Sequence, residues 1–199
     1  MLLSYKDINN DELKSNFSEF LKEIIPVAEE NNIKMALHPD DPPISLFGLP
    51  RIVSNHEDYQ FVLDQYKSHN NGITFCTGSL ASNFNNDIYK MFDHFKDKIH
   101  FIHLRNVTIE KDNISFIESD HLEGDIDFVK IINMILIEEK KRKENNQDYH
   151  IPMRPDHGHS LLDDKKKKLN PGYSCIGRMK GLAEIRGIIK ALDNEKSQN

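Results

Sequence analysis

Several things are scarce in this 199-residue chain, and each scarcity removes a class of function. No stretch approaches the roughly 18 consecutive apolar residues that a membrane-spanning helix requires. The opening MLLSYKDINNDEL turns polar too early for a secretion signal. A cytoplasmic protein with no membrane partner is therefore expected. Positive charge is short as well, since 26 lysines and arginines face 32 aspartates and glutamates for a formal net charge of −6. Phosphate-backbone recognition normally needs a basic surface, so nucleic acid is not an expected partner. The one strong basic run, Lys165 to Lys168, reads as a solvated loop. Cysteine is limited to Cys76 and Cys175. With no sign of secretion both are expected as reduced thiols, and a reduced thiol is available as a metal ligand. No linker or change of composition divides the chain, so a single domain over 1–199 is expected, with 38% hydrophobic residues to build its core.

What is present is an alternation. Leu13, Phe17, Phe20, Leu21, Ile24, Ile25 and Ala28 recur at three-and-four spacing and predict an amphipathic helix kinked near its end by Pro26. IKMALHP predicts a first strand. A capping box from Ser54 to Glu57 opens the next helix, with Tyr59, Val62, Leu63 and Tyr66 on one face. GITFCTG follows as a second strand, and Ile88, Met91, Phe92 and Phe95 mark a third helix. Next come a third strand, IHFIHLRNV, a helix from Phe128 to Leu136, a fourth strand, HIPMRP, and a closing helix from Leu182 to Leu192. Strands separated by single helices are βαβ units, which pair in parallel through right-handed crossovers.

The unusual residues fall at the strand ends. His38 closes the first strand, Cys76 the second, His103 lies near the end of the third and Asp156 follows the fourth. In a parallel sheet or barrel all strand C-termini lie on one rim, so these four positions would meet in space. Two imidazoles, a thiolate and a carboxylate suit a divalent transition ion, whereas Mg²⁺ and Ca²⁺ take oxygen ligands. The ion would also offset the charge crowded into MRPDHGHSLLDD, residues 153–164. Taken singly, each residue has a plainer reading: a hydrogen-bonded histidine or a small core cysteine.

The segments MALHPDDPP, FCTGSL, HLRN, MRPDHGH and NPGYSCIGRMKGLAEIRG resemble the mannonate dehydratase family almost run for run. That family converts D-mannonate to 2-keto-3-deoxy-D-gluconate in hexuronate breakdown. The resemblance implies an α/β fold of TIM-barrel type, xylose-isomerase-like, working with Mn²⁺ or Fe²⁺ held by the residues matching His38, Cys76, His103 and Asp156. Family members are considerably longer. The match is to their C-terminal part, so only the C-terminal four βα units of the (β/α)8 barrel are expected, with the N-terminal half missing. Two unpaired sheet edges would follow, and with them a homodimer or a complex with a chain that supplies the other half.

The reaction removes a weakly acidic proton from C2, next to the carboxylate, and a hydroxyl from C3. The ene-diolate needs stabilisation, a Lewis-acid role for the ion, and two protein groups must move protons. The resemblance marks His157 and Tyr173 as that catalytic pair. Arg105 and Asn106, which follow His103, and Arg178 are expected to contact substrate. His159 and Arg154 are weaker candidates, Asp40 and Asp41 are as readily parts of a rigid rim loop, and Cys175 reads as structural. Two other functions fit the same residues: a sugar isomerase or epimerase on the same scaffold, against which a thiolate ligand speaks, or an inactive or complementing fragment.

Overall fold

Strand β2 (Asn71–Cys76) is buried at every position. A strand covered on both faces belongs in the middle of a parallel sheet, and its run of Ile73, Phe75 and Cys76 is what such burial requires. The computed structural model describes Tyr5 and residues 8–196. It places β2 between β1 (Met35–Leu37) and β3 (Ile99–His103), with β6 (Met153–Arg154) beyond β3, all parallel. In register, Cys76 stands opposite His103 and His103 opposite Arg154.

Helices α1 (Asn10–Glu30), α2 (His56–Gln65), α4 (Ile88–Phe95), α5 (Phe128–Glu144) and α6 (Cys175–Lys196) connect or flank these strands, with a single turn of helix, α3 (Thr77–Ala81), directly after β2. The core joins Leu21 and Ile25 of α1, Tyr59 and Val62 of α2, Phe92 and Phe95 of α4, and Ile131, Ile132 and Ile135 of α5 to the strand residues Ile73, Phe75, Ile99 and Ile102. Phe75 and Phe92 meet edge to face at 5.5 Å, and buried Tyr59 donates its hydroxyl to the carbonyl of Thr74 at 3.0 Å. Together these contacts fix α2 and α4 over β2.

Four sequence expectations need correction. Phe20 lies half exposed, stacked on Phe17, because it falls off the buried stripe of Leu21, Ile25 and Ala28. The cap of α2 is Asn55, whose side chain accepts from the Asp58 backbone at 2.9 Å. Ser54 instead donates its hydroxyl to Asp40, and its backbone N–H to Asp58. The segment read as one long third strand is two: β3 ends at His103, and β4 (Asn106–Ile109) turns away to form an antiparallel hairpin with β5 (Phe116–Ser119). The hairpin turn is set by Asp112, which accepts from the backbone of Ile114 and Ser115. Lys165 and Lys166 end a 3-10 turn (Leu162–Lys166) in place of open loop, while all four lysines of the run are exposed as expected.

Candidate metal centre and active site

The carboxyl ends of β1, β2 and β3 bring His38, Cys76 and His103 together, with one ligand atom from each within 4.8 Å of the others. Asp156, just past β6, borders this group: its carboxylate lies 3.7 Å from the Cys76 sulfur and 3.6 Å from His103 Nδ1. Asp156 is buried and adopts a left-handed backbone (φ 62), a conformation that costs a non-glycine residue energy and is tolerated where the surroundings impose it.

Local hydrogen bonds prepare these atoms. His38 Nδ1 donates to the Pro39 carbonyl at 2.7 Å, which turns Nε2 toward His103 Nδ1 at 3.1 Å. Burial lowers His103 to about 4 despite nearby Asp156, so its imidazole is neutral. Burial first, and Asp156 second, push the Cys76 thiol up to about 12, although Ser79 donates to the sulfur at 3.0 Å. Burial also works against the Asp156 carboxylate, yet its pKa is lowered, and Arg154 pairs with it at 2.5 Å. Two imidazole nitrogens and a sulfur beside a carboxylate fit a borderline transition ion, whose charge would reverse the disfavoured ionisation of the thiol.

His157 is next in the chain. Its Nδ1 lies 3.1 Å from Glu118 Oε1 on β5, and its ring meets Tyr173 edge-on at 5.3 Å. The approach depends on two glycine sites. A Cβ on Gly172 (φ +80) would stand 3.2 Å from His157 Cγ. One on Gly177 would stand 2.1 Å from the His159 carbonyl, so the start of α6 can lie directly on the 157–159 loop only without side chains. Tyr173 is half exposed, and the guanidinium of Arg178 lies 5.5 Å from its ring. Asp164 ties down the loop between: it accepts from the Ile176 N–H and the Ser174 hydroxyl, both at 2.7 Å, which hold its carboxyl down at about 2.

Two expected substrate contacts, Arg105 and Asn106, are engaged by protein groups. Arg105 is almost wholly buried, donating Nη1 to both oxygens of Asp41 at 2.9 Å and its Nε and Nη2 to Glu118. Its fork is filled by protein carboxylates, and their bonds raise its pKa against the effect of burial. Asn106 spends its amide on the carbonyls of His121 and Ile126 and its oxygen on the N–H groups of Val107 and Ile126, which locks the start of the hairpin. Arg154 pairs with Asp156 at 2.5 Å, and His159 is exposed. Asp40 holds the rim loop through Val53 and Ser54. Glu118 went unseen in the sequence because the hairpin that carries it was unseen; the Asp112–Asn113 turn between VTI and FIES is the signal that marks it.

A family model for D-mannonate dehydratase (UxuA) matches residues 1–199. The chain belongs to that family. It is 48% identical over 195 residues to mannonate dehydratase 2 of Agrobacterium fabrum, and 49% identical over 196 residues to mannonate dehydratase 1 of the same organism. These alignments cover 98% and 97% of this chain and 49% of each relative, so the chain spans about half the length of the curated relatives it matches. The crystal structure of mannonate dehydratase from Streptococcus suis serotype 2 superposes with a TM-score of 0.85 at 36% identity, covering 96% of this chain and 52% of that one. A D-tagatose 3-epimerase-like protein superposes at 0.60 with 18% identity, covering 92% and 57%, a likeness of fold alone. No helix among the described residues is long and apolar enough to cross a membrane.

Proposed function

We propose that this chain carries the metal site and the acid–base pair of a D-mannonate dehydratase, a hydro-lyase that yields 2-keto-3-deoxy-D-gluconate in hexuronate breakdown. The convergence of His38, Cys76, His103 and Asp156 at the strand ends, within a family match that spans the chain, carries this reading. When bound, Mn²⁺ or Fe²⁺ supplies Lewis-acid charge to the substrate carboxylate. The remaining work falls to protein groups. His157 and Tyr173, 5.3 Å apart ring to ring, are the pair that takes the C2 proton and protonates the departing C3 hydroxyl. Arg178, beside Tyr173, is the substrate contact in this reading. Arg105 and Asn106 shape the rim instead.

The same reading treats 1–199 as one domain, the C-terminal four βα units of a (β/α)8 barrel. Among the described residues, strands β1 and β6 each pair on one side only within the parallel sheet, which supports covering strands from a second copy or from a chain that supplies the N-terminal half. Two free thiols fit a reducing, cytoplasmic setting. The test is conversion of D-mannonate with Mn²⁺, run with and without the N-terminal half of a relative. Production of the 2-keto-3-deoxy acid is expected, with turnover lost in His157→Ala and Tyr173→Phe while metal content is kept. Turnover of an aldose in place of mannonate would refute the reading.

A further inference from the structure

We propose that Glu118 is the positioning residue of His157: by accepting its Nδ1 hydrogen it fixes the imidazole tautomer and leaves Nε2 as the atom that exchanges a proton with substrate. The proposal rests on the reading of His157 as a proton-transfer group. Its own support is geometric. An ionised carboxylate only accepts, so the 3.1 Å contact between Glu118 Oε1 and His157 Nδ1 requires the hydrogen on Nδ1. A neutral imidazole in water favours the opposite tautomer, with the hydrogen on Nε2. A hydrogen held on Nδ1 by Glu118 therefore corresponds to the minor neutral form.

Glu118 cannot turn away from this task. Arg105 grips both of its oxygens, through Nε at 3.1 Å and through Nη2, and Arg105 is held in turn by both oxygens of Asp41. The chain Asp41–Arg105–Glu118–His157 links the loop after β1, the turn after β3, the hairpin and the loop after β6. On its other side His157 is confined by Gly172 and Tyr173. A buried arginine with both carboxylates engaged is a costly way to hold a hairpin, and it makes sense as the mount of one imidazole orientation.

The test reads the tautomer directly. Long-range ¹H–¹⁵N correlation spectra of the metal-free full chain at pH 8.5, with the His157 signals assigned by their loss in His157→Gln, are expected to show Nδ1 protonated and Nε2 unprotonated. In Glu118→Ala the same ring is expected to pass mainly to the Nε2–H form, while the other histidine signals stay in place. Turnover of D-mannonate should fall about 10- to 100-fold in kcat, the range for such outer partners, with KM and Mn²⁺ affinity nearly unchanged, and Glu118→Asp should recover part of the loss. A wild-type His157 already in the Nε2–H form would overturn the proposal, and that result does not depend on any variant folding. So would a tautomer that ignores Glu118→Ala, or a kcat that does. His157→Ala is the separate check: if it turns over like wild type, the reading of the site fails and the proposal falls with it.

Discussion

Binding of a divalent ion at the rim should release one proton, and that proton comes from Cys76. The thiol is fully buried and stands at about 12, through burial first and Asp156 second, so it keeps its hydrogen at neutral pH. Ligation needs the thiolate. His103, at about 4, and Asp156, held below the usual carboxylate range, have already lost their protons and release none near pH 8. One proton exchanged for one ion makes affinity rise about tenfold per pH unit, or about 1.4 kcal/mol. Between pH 7.5 and 8.5 the Mn²⁺ dissociation constant, read from the EPR signal of free Mn²⁺, is expected to fall about tenfold. In Cys76→Ala the affinity should be much weaker and the slope flat. A wild-type affinity independent of pH, or a slope that survives Cys76→Ala, would refute the reasoning.

Three further outcomes follow from the packing. Burial lowers His100 to about 4, so the unfolded chain takes up its proton first, near 6.5, and the contribution is intact above that pH and lost as pH falls toward 4; the decline in urea-measured stability over this window should be smaller in His100→Asn, and an equal decline contradicts the assignment. Phe92→Ala empties a fully buried edge-to-face contact with Phe75 and should cost about 3–5 kcal/mol in urea unfolding; a loss under 1 kcal/mol would mean that α4 is not seated on β2. Gly177→Ala forces a Cβ against the His159 carbonyl and should cost about 1–3 kcal/mol by overpacking; an unchanged melting temperature would show that α6 does not lie on that loop.

The parallel βαβ order was legible because buried strands leave local marks: apolar runs such as ITFC and IHFIH, each ending in a residue that can bind a metal. Placing His38, Cys76, His103 and Asp156 on one rim required only the rule that parallel strands end together. The roles of Arg105 and Asn106 were not legible. Their partners Asp41, Glu118, His121 and Ile126 lie 13 to 64 positions away, and no periodicity encodes such pairings. The cap of α2 was misplaced by one residue because Ser54 and Asn55 are both good capping types, and only the engagement of Ser54 with Asp40 decides between them. IHFIHLRNV reads as one strand, which hides the hairpin and Glu118 with it.

In the proposed site the ends of β1, β2, β3 and β6 hold one cation through one sulfur. X-ray absorption of the chain loaded with Zn²⁺ tests it most directly, because Zn–S and Zn–N/O distances, about 2.3 and 2.0–2.2 Å, are readily separated. One equivalent of zinc is expected, with a single sulfur among nitrogen and oxygen neighbours, and that sulfur should vanish in Cys76→Ala but persist in Cys175→Ala. A shell without sulfur, or one that loses its sulfur only in Cys175→Ala, would contradict the account.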